Sequence, residues 1–567
     1  MTCLRATLLA TAVASFALGA AFAAMTIVDL QPYRRATTVA APDGRIVAEL
    51  IDLNPNIDDW YLLTLRVGAD AAIAYHLENP RPDAQTLTLD ANAPTGVRLV
   101  GREHSDDCAL WDDAGGGALA QARRTGLPYA PLCDDRLYLR NPVAGRFTRL
   151  ERITDFLRDH VWGGDEVVTV VRETVYRDAF AERAAPQRES AHDRPPPNAP
   201  RAAAIDPTSA GMAVDPPHLG IGVVAPSRQL ELGAWYAATD APGVFVSVIE
   251  PRAIAASILA SAPHAVAALD AVEGAALDYL VALDLGQFDL GFALGTDHPR
   301  VGWSERALPA VRDPASPGPD GIDSVAPLVV DGMVSPALVG RTVATFAGGF
   351  KREHGAFRYG PFAMQNHGTH YGFIEHGVVF STLQPGLATL YVMRDGDVRM
   401  ATWRHDDEAQ LPLIRFARQN GLPLIEDDPT THTGVPGAFV NRWGPGNWSG
   451  SEDVRLRTLR AGACLQGEGP ARFLIYGFFS TATPSAMARV FQAYGCRYAM
   501  HLDMNALEHT YFALYTRTQG RFAVEHLIDG MAEVDRKGGD RLAPRFLSFP
   551  DDRDFFYLTR REASVSP

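Results

Sequence analysis

Short runs of alternating hydrophobic and polar residues mark the first part of the chain. Residues 45–51, 60–66 and 85–90 alternate in part, and clusters of Asn and Pro separate them. A period of two between turn residues is typical of antiparallel strands. A short helix is predicted at residues 153–161, and a β-branched run at 167–176 predicts another strand. We therefore predict a small β-rich unit here.

Strand and helix patterns are mixed in the second part of the chain. Residues 243–249 predict a strand, whereas the alanine-rich residues 253–259 and 265–280 favour helices. This mixture predicts an α+β fold. We expect a mixed β-sheet with packed helices in the C-terminal domain, preceded by a smaller β-rich N-terminal domain.

The clearest helix is predicted at residues 484–494. Thr483 can cap its N-terminus, and Gly495 can end it. The residues that share its apolar face, and that we predict to be core, are Met487, Val490, Phe491 and Tyr494. Strand-like runs at 471–479 and 497–502 flank the helix. Together they predict a βαβ unit whose two strands run parallel.

The N-terminus has the pattern of a signal peptide over residues 1–24. Arg5 precedes an apolar run, and Ala21-Phe22-Ala23 fits a cleavage site. An uncleaved anchor is the alternative. No later run reaches about 18 apolar residues, so we expect no integral membrane span after cleavage. The predicted location is secreted or periplasmic.

A proline-rich stretch divides the rest of the chain. Residues 184–218 contain eight prolines and almost no large apolar side chains. Such a composition predicts an extended, semi-rigid linker. It separates a β-rich N-terminal domain of unknown role, at 25–183, from a larger domain at 219–567.

The charge balance excludes some classes of partner. The chain of 567 residues has 52 Lys and Arg against 67 Asp and Glu, which gives a formal net charge of -15. A general binder of nucleic acid needs a basic face that neutralises phosphates, so we expect no nucleic-acid partner. A hydrophobic content of 47% is that of an ordinary globular protein and excludes wholesale disorder.

Four cysteines remain after the predicted signal peptide: Cys108, Cys133, Cys464 and Cys496. An even number in an exported chain favours disulfides, and four cysteines allow three pairings. Proximity in sequence favours Cys108–Cys133 and Cys464–Cys496. Four buried free thiols are the alternative.

Candidate chemistry follows the predicted strand that ends at Leu502. Asp503 and Asn505 come directly after it, and His501 shares a face with Asp503 where the strand continues. In βαβ units, ligands bind outside the carboxyl ends of the strands. Asp503 could be an acid, a base or a cation ligand, and Asn505 could donate to a sugar hydroxyl or a phosphoryl oxygen. A turn shaped by the two Asx residues is the alternative.

A second candidate cluster begins at Gly348 and Gly349, which permit a tight bend or a close backbone approach to a ligand. Lys351, Arg352 and His354 follow and suit an anionic group. A glycine turn with solvated charges is the alternative. The nearby histidines show no metal-ligand spacing, and we predict neither a metal nor a cofactor.

Three stretches, taken in order, carry a resemblance to a known family. Residues 347–351, with His354 after them, resemble an Asn-Gly-Gly-Phe segment. Residues 387–398 resemble a strand, Asp-Gly and strand hairpin, and residues 498–505 resemble a Leu-Asp segment after a helix. Arg460 matches an Arg-containing strand between them. With these motifs, residues 340–530 resemble a divergent bacterial branch of the phosphodiester glycosidases. We therefore predict a phosphodiester-glycosidase-like domain over residues 219–567.

The chain departs from the family pattern at two motifs. Ala347 replaces the Asn of the first, and residues 501–507 replace Asn-Leu-Asp-Gly-Gly-Gly-Ser. The missing glycine loop is a natural cradle for a phosphodiester, because successive backbone N–H groups bind anions.

The resemblance implies hydrolysis of a glycosidic phosphodiester or a related envelope glycan linkage. It implies catalytic roles for Asp503, His354 and Lys351. It implies contact with the substrate for Asn505, His501, Gly348, Gly349 and Arg460. The alternative is a non-catalytic exported protein that binds a glycan or has a structural role on the same fold.

Overall fold

Antiparallel β-sheet dominates this computed structural model, with 37% of residues in strands and 15% in helices. The structure describes residues 25–41, 44–93, 95–112, 115–148, 151–152, 176–185, 187–188, 195–298, 300–442, 455–469, 471–518, 520–538 and 541–562. The predicted signal peptide, the helix at 153–161 and nearly all of the strand at 167–176 lie outside these residues.

Nine strands, one α-helix and a 3₁₀ helix at Ile27–Leu30 form the N-terminal part of the described chain. The strands are β1 (Arg35–Ala40), β2 (Ile46–Asp52), β3 (Trp60–Val67), β4 (Ile73–Glu78), β5 (Gln85–Thr88), β6 (Gly96–Gly101), β7 (Ser105–Ala109), β8 (Tyr129–Leu132) and β9 (Leu137–Arg140). The helix is α1 (Ala118–Thr125). A six-stranded sheet, β1-β2-β3-β4-β9-β8, and a three-stranded sheet, β5-β6-β7, share one core that includes Leu63, Leu87 and Leu99.

The remaining strands follow in chain order. They are β10 (Gln187–Arg188), β11 (Met212–Val214), β12 (Leu230–Glu231), β13 (Tyr236–Ala237), β14 (Val244–Ile249), β15 (Asp278–Asp284), β16 (Phe288–Ala293), β17 (Thr342–Ala347), β18 (Phe373–Glu375), β19 (Val378–Ser381), β20 (Ala388–Met393), β21 (Val398–Thr402), β22 (Ile414–Gln419), β23 (Pro423–Asp427), β24 (Gly434–Pro436), β25 (Thr458–Glu468), β26 (Ala471–Ala482), β27 (Tyr498–Met504), β28 (Phe512–Thr518), β29 (Arg521–His526), β30 (Arg536–Gly538), β31 (Arg541–Ala543) and β32 (Phe555–Arg560).

The helices of this part are few and short. The α-helices are α2 (Ala256–Leu259), α3 (Ala271–Gly274), α4 (Pro336–Val339), α5 (Gly360–Gln365) and α6 (Pro484–Ala493). The 3₁₀ helices of the whole described chain are Ile27–Leu30, Pro251–Ala253, Pro309–Val311, Arg352–His354, His405–Leu413, Val440–Arg442 and Asp529–Val534. No helix among the described residues is long and apolar enough to cross a membrane.

Three sheets of residues 219–567 build the core that positions the candidate site. Their strand orders are β13-β14-β15-β26-β25-β27-β23-β24, β16-β32-β17-β28-β29 and β19-β18-β22-β20-β21. Aromatic side chains join the first two: the ring centroids of Phe346 and Tyr476 lie 5.3 Å apart, and those of Tyr476 and Phe512 lie 5.2 Å apart. Helix α6 covers the other face of the eight-stranded sheet, where Phe491 contacts Phe479.

The predicted α+β class with packed helices is wrong, because the helices of the described residues are few and short. The predicted mixed sheet is wrong as well, because every pair of named strands in the described residues is antiparallel. The predicted helix at 253–259 is reduced to the four residues of α2, and the one at 265–280 to those of α3. The end of the second range instead starts the buried strand β15. A continuous apolar run fits a buried strand as well as a helix, and here sheet pairing overrides the helix propensity of alanine.

The helix predicted at 484–494 is confirmed as α6, and its four predicted core side chains are buried. Strands β26 and β27 flank it as predicted. Each is antiparallel to β25, which lies between them, so the two run in the same direction without pairing. The unit therefore places the end of β27, with Asp503, inside the eight-stranded sheet.

Both predicted disulfides are formed, Cys108–Cys133 and Cys464–Cys496. The described part of the proline-rich segment lies along the larger region. Ala203 N–H donates to Gly233 O at 2.9 Å, and Ala204 N–H donates to Ala493 O at 2.8 Å.

Candidate functional site

Lys351 lies buried beyond the end of β17, among three carboxyl groups. Its Nζ pairs with Asp552, lies 3.2 Å from Asp297 Oδ2, and lies 3.9 Å from Glu151 Oε1. The Lys351 side chain is 2% exposed and that of Asp297 is 13% exposed, so Asp297 is where this group reaches solvent. Glu151 comes from the N-terminal part of the chain, which therefore contributes to the site.

Arg553 connects Lys351 to Asp503. Its Nε donates to Glu151, and its Nη1 donates to Asp503 Oδ2 at 2.5 Å. The backbone N–H of Met504 donates to Asp503 Oδ1 at 2.8 Å. We name the six side chains the Lys351–Asp503 network; its members are Glu151, Asp297, Lys351, Asp503, Asp552 and Arg553. The sequence-predicted pair Lys351 and Asp503 thus lies in one buried ionic cluster.

The network shifts the pKa values of its carboxyl groups in opposite directions. Burial raises the pKa of Asp503 to about 7, although Arg553 opposes the shift. Burial likewise raises the pKa of Asp552 to about 7, against the opposing charge of Lys351. Burial acts in the same sense on Glu151, but the charges of Arg553 and Lys351 prevail and lower its pKa. Within the network, Asp503 and Asp552 are therefore the two carboxyl groups that we expect to exchange protons near neutral pH.

The pKa of Lys351 is raised. Burial and the charge of Arg553 both act to lower it, but the carboxylates of Asp552, Glu151 and Asp297 outweigh them. Lys351 is therefore a fixed cation in this site and not a base at neutral pH.

Gly348 and Gly349, beside Lys351, lie against other groups of the protein itself. Gly348 N–H donates to Asp554 O at 2.9 Å. A Cβ at Gly349 would lie 2.9 Å from Arg418 Cζ. Arg418 donates to Asp554 Oδ2 at 2.8 Å and to Phe350 O at 2.9 Å. In this structure, the close backbone approach that the glycines permit is to Arg418 and Asp554.

Arg460 and His501 lie buried beside the network. Arg460 donates to Ala482 O at 2.8 Å and to Leu456 O at 3.1 Å, and its Nη1 lies 3.4 Å from His501 Nε2. Burial and the charge of Arg460 hold the pKa of His501 well below its ordinary value. Two N–H groups of Arg460 are thus already bonded to backbone carbonyls.

Asn505 lies in the turn after β27, and His354 lies in a 3₁₀ turn after β17. Asn505 has φ +79°, and its Oδ1 accepts a bond from Thr458 Oγ1 at 3.1 Å, which shapes the turn after β27. His354 ends the 3₁₀ turn Arg352–His354 with its side chain 21% exposed, and its Nε2 lies 4.0 Å from Glu353 Oε1.

Sequence reasoning missed several members of the site: Glu151, Asp297, Asp552, Arg553 and His509. The sequence does contain one signal for two of them. Four charged residues, Asp551-Asp552-Arg553-Asp554, come directly before the apolar strand β32. His509 Nδ1 lies 2.9 Å from Met504 O, and burial lowers the pKa of His509 to about 3. His509 is therefore neutral, with its proton on Nδ1.

Comparisons with known proteins add little. No family model and no curated protein matches the chain. Among solved structures, a protein of Burkholderia pseudomallei K96243 described as exported is 10% identical, with a TM-score of 0.19, over 50% of this chain and 74% of its own. A hypothetical protein from Synechocystis is 9% identical, with a TM-score of 0.21, over 93% of this chain and 96% of its own. At these TM-scores neither likeness bears on the fold or the function.

Proposed function

We propose that the protein is an exported hydrolase that cleaves a glycosidic linkage of an envelope glycan, with a sugar phosphodiester as the substrate implied by the family resemblance. The observation that carries the proposal is the Lys351–Asp503 network, in which two carboxyl groups have pKa values of about 7. Glycoside hydrolysis uses one carboxylic acid and one carboxylate. Carboxyl groups with strongly shifted pKa values concentrate at catalytic sites.

The hydrogen bonds support one role for each of the two carboxyl groups. Both oxygens of Asp503 accept N–H donors, which suits the ionised carboxylate. Asp552 pairs with Lys351 through Oδ2, and its buried Oδ1 has no hydrogen-bond partner in the described part of the chain. Asp552 Oδ1 can therefore carry the proton.

In the proposed reaction, Asp552 gives its proton to the glycosidic oxygen as the bond from that oxygen to the anomeric carbon breaks. Asp503 stabilises the positive charge that develops at the anomeric carbon. A water molecule then bonds to that carbon and returns a proton to Asp552. The balance is one water consumed and one free sugar released.

Export is supported by the two disulfides, since such bonds persist in oxidising compartments. It is supported also by the signal-like residues at the start of the sequence.

The test is release of free sugar from a panel of sugar phosphodiesters and envelope glycans by the purified chain. We compare the wild type with Asp503→Asn, Asp552→Asn and the control Asp278→Asn. Asp278 is equally buried, in β15, and its Oδ1 accepts Ser480 N–H at 3.1 Å. We expect at least a 100-fold loss of release for the first two variants and wild-type release for the control. A folded wild type that releases no sugar would overturn the proposal.

A second candidate function is a non-catalytic, glycan-binding or structural role. It is favoured by one observation: Lys351, Arg553 and Arg418 already pair with carboxylates of the protein itself. Under this alternative, Asp503→Asn lowers the free energy of unfolding and there is no sugar release for it to affect. Because Asp503→Asn weakens the pair with Arg553 under either function, sugar release by the wild type separates the two functions, and chemical denaturation shows whether each variant is folded.

A further inference from the structure

Strand β1 is an open edge of the N-terminal sheet. In the order β1-β2-β3-β4-β9-β8 it pairs, among the described residues, with β2 alone. Five of its six residues are exposed, and the sixth, Val39, is half-buried. An edge strand presents a row of backbone N–H and C=O groups that can pair with another strand.

The register shows which residues of β1 present these groups. Ala41 N–H donates to Ile46 O at 2.8 Å, so this directly opposed pair is hydrogen-bonded. Bonded pairs recur at every second residue of an antiparallel ladder, so β1 bonds to β2 through its odd-numbered residues. The residues that direct N–H and C=O groups to the open edge are therefore Ala36, Thr38 and Ala40.

Strand β2 leads to the same conclusion from its other side. Gly68 N–H donates to Arg45 O at 2.6 Å, so the odd-numbered residues of β2 bond to β3. Its even-numbered residues are left for β1, and their register partners there are the odd-numbered ones.

The β1 edge lacks the features that usually keep sheet edges from pairing, which are lysine, proline and bulges. The strand contains no lysine and no proline, and its register with β2 runs without a shift. The opposite edge, β8, has only four residues and includes Pro131. Of the two edges of this sheet, β1 is therefore the one that is suited to pairing.

Two copies of β1 are complementary in shape and hydrogen bonding about a two-fold axis at Thr38. Antiparallel pairing about this axis sets Thr38 opposite Thr38 of the second copy, and Ala36 opposite Ala40. All of these residues direct their backbone groups to the edge, so each opposed pair exchanges two N–H···O bonds. A directly opposed pair of threonines is favourable in a sheet.

The charged residues near the axis do not face their own kind. Arg35, the one charged residue of β1, would lie opposite Ala41 of the second copy. Glu49 is the β2 partner of Thr38, and both copies of β1 would separate it from its counterpart. The pairing therefore brings no like charges directly opposite each other.

We propose that the protein forms a symmetric homodimer through β1, in which two six-stranded sheets join into one continuous antiparallel sheet with its two-fold axis at Thr38. The paired surface is small, with six residues of β1 on each side. A standard stable interface uses about 20–30 residues a side, so we expect a weak dimer with a dissociation constant on the order of 10–100 μM. The dimer does not depend on the proposed hydrolase activity.

The first test is sedimentation equilibrium of the purified chain at about 0.15 M salt. We expect a monomer–dimer equilibrium for the wild type. Thr38→Glu should raise the dissociation constant at least tenfold, because two carboxylates would then oppose each other at the axis. The control is Ser105→Glu, an exposed position of the edge strand β7, which should leave the constant unchanged.

Two results of this experiment would overturn the proposal. One is a wild type that stays monomeric at about 1 mM, well above the expected constant. The other is an equal effect of Thr38→Glu and Ser105→Glu, which would place the contact elsewhere.

Mixing two variants locates the axis. Thr38→Glu mixed with Thr38→Lys should form a heterodimer at least tenfold tighter than the dimer of Thr38→Glu, since a carboxylate of one chain then opposes an ammonium of the other. A mixture that associates no more tightly than Thr38→Glu alone would refute a two-fold axis at Thr38.

Hydrogen exchange of the wild type keeps the proposal testable should a variant fail to fold. Peptides that cover residues 35–40 should take up deuterium more slowly at high protein concentration than at low, because the edge N–H groups become bonded. Peptides that cover 105–109 should not change. Uptake by residues 35–40 that is independent of concentration would contradict the dimer.

Discussion

Gly349 lies so close to the guanidinium of Arg418 that a Cβ on the glycine would be 2.9 Å from Arg418 Cζ. The same Cβ would lie 3.0 Å from Asn420 Cγ. Gly349 also has φ +148°, in a region that side chains rarely adopt. The absence of a side chain at this position is therefore what lets Arg418 reach Asp554, behind the candidate site.

Gly349→Ala should lower the free energy of unfolding by about 2 kcal/mol, because the new methyl group must displace Arg418 or strain the backbone. Chemical denaturation measures the change. The matched control is Gly340→Ala, since Gly340 has φ -61° and nothing within 4 Å of its built Cβ. We expect this control to be neutral or slightly stabilising. Equal effects of the two substitutions would contradict the assigned role of Gly349.

The fold is predictable from sequence where local signals determine it. Helix α6 is one such case, because Thr483 Oγ1 accepts Ala486 N–H at 3.2 Å and Pro484 fits the first turn. The sheet β16-β32-β17-β28-β29 is the opposite case. There Phe346 of β17 pairs with Phe556 on one side and with Phe512 on the other. No local pattern encodes pairings between segments so far apart in the chain.

The candidate site divides in the same way. The glycine pair and the strand end mark Lys351 and Asp503 in the sequence. No sequence pattern indicates Glu151, because its partner Arg553 lies 402 positions away in the chain. The charges at 551–554 resemble a solvated loop until the fold buries them against partners such as Lys351 and Arg418.

Glu375 makes the stability of the protein depend on pH. Burial raises its pKa to about 8, against the opposing charge of Arg140, and its Oε2 accepts Leu294 N–H at 3.2 Å. Between pH 4.5 and 8 the unfolded chain ionises this group while the folded chain keeps it protonated. The contribution of Glu375 to stability is therefore present below about pH 4.5 and is lost as the pH rises to 8.

Glu375→Gln removes this dependence, because glutamine keeps an acceptor for Leu294 and cannot ionise. The free energy of unfolding of the variant minus that of the wild type should increase from pH 4.5 to 8, by on the order of a few kcal/mol. Urea denaturation at a series of pH values measures the difference. A difference that stays constant or decreases over this range would show that Glu375 ionises freely in the folded protein.

The disulfide Cys464–Cys496 ties strand β25 to the turn after α6 and closes a separation of 32 residues. The double substitution of both cysteines by Ala should lower the free energy of unfolding by about 3 kcal/mol, since the unfolded chain loses a constraint. The reduced wild type, in which both disulfides are open, should lose at least as much. Unchanged stability of the double variant under oxidising conditions would contradict this account.

Arg140 of β9 joins the N-terminal sheet to the rest of the molecule. Its Nη1 lies 2.8 Å from Glu78 Oε2, and its Nη2 lies 2.9 Å from Asp331 Oδ2, a residue of the larger region. All three side chains are at most 3% exposed. The guanidinium also lies 4.1 Å from the Trp60 ring centroid. The pairing therefore couples the two parts through a fully buried charge.

Arg140→Met should destabilise the protein by about 3–5 kcal/mol at pH 8, because it leaves buried carboxylates without their cation. The loss should be smaller at pH 5, since burial raises the pKa of Asp331 to about 7 and protonation then neutralises it. Arg140→Lys should restore only part of the stability, because an ammonium cannot reproduce the fork to two carboxylates or the stacking on Trp60. Urea denaturation at the two pH values measures all three proteins, with the exposed Arg124→Met of α1 as the control. A loss that is equal at both pH values would mean that the charge of Asp331 has no part in holding the two regions together. Full rescue by lysine would mean that the fork to two carboxylates and the stacking on Trp60 are not required.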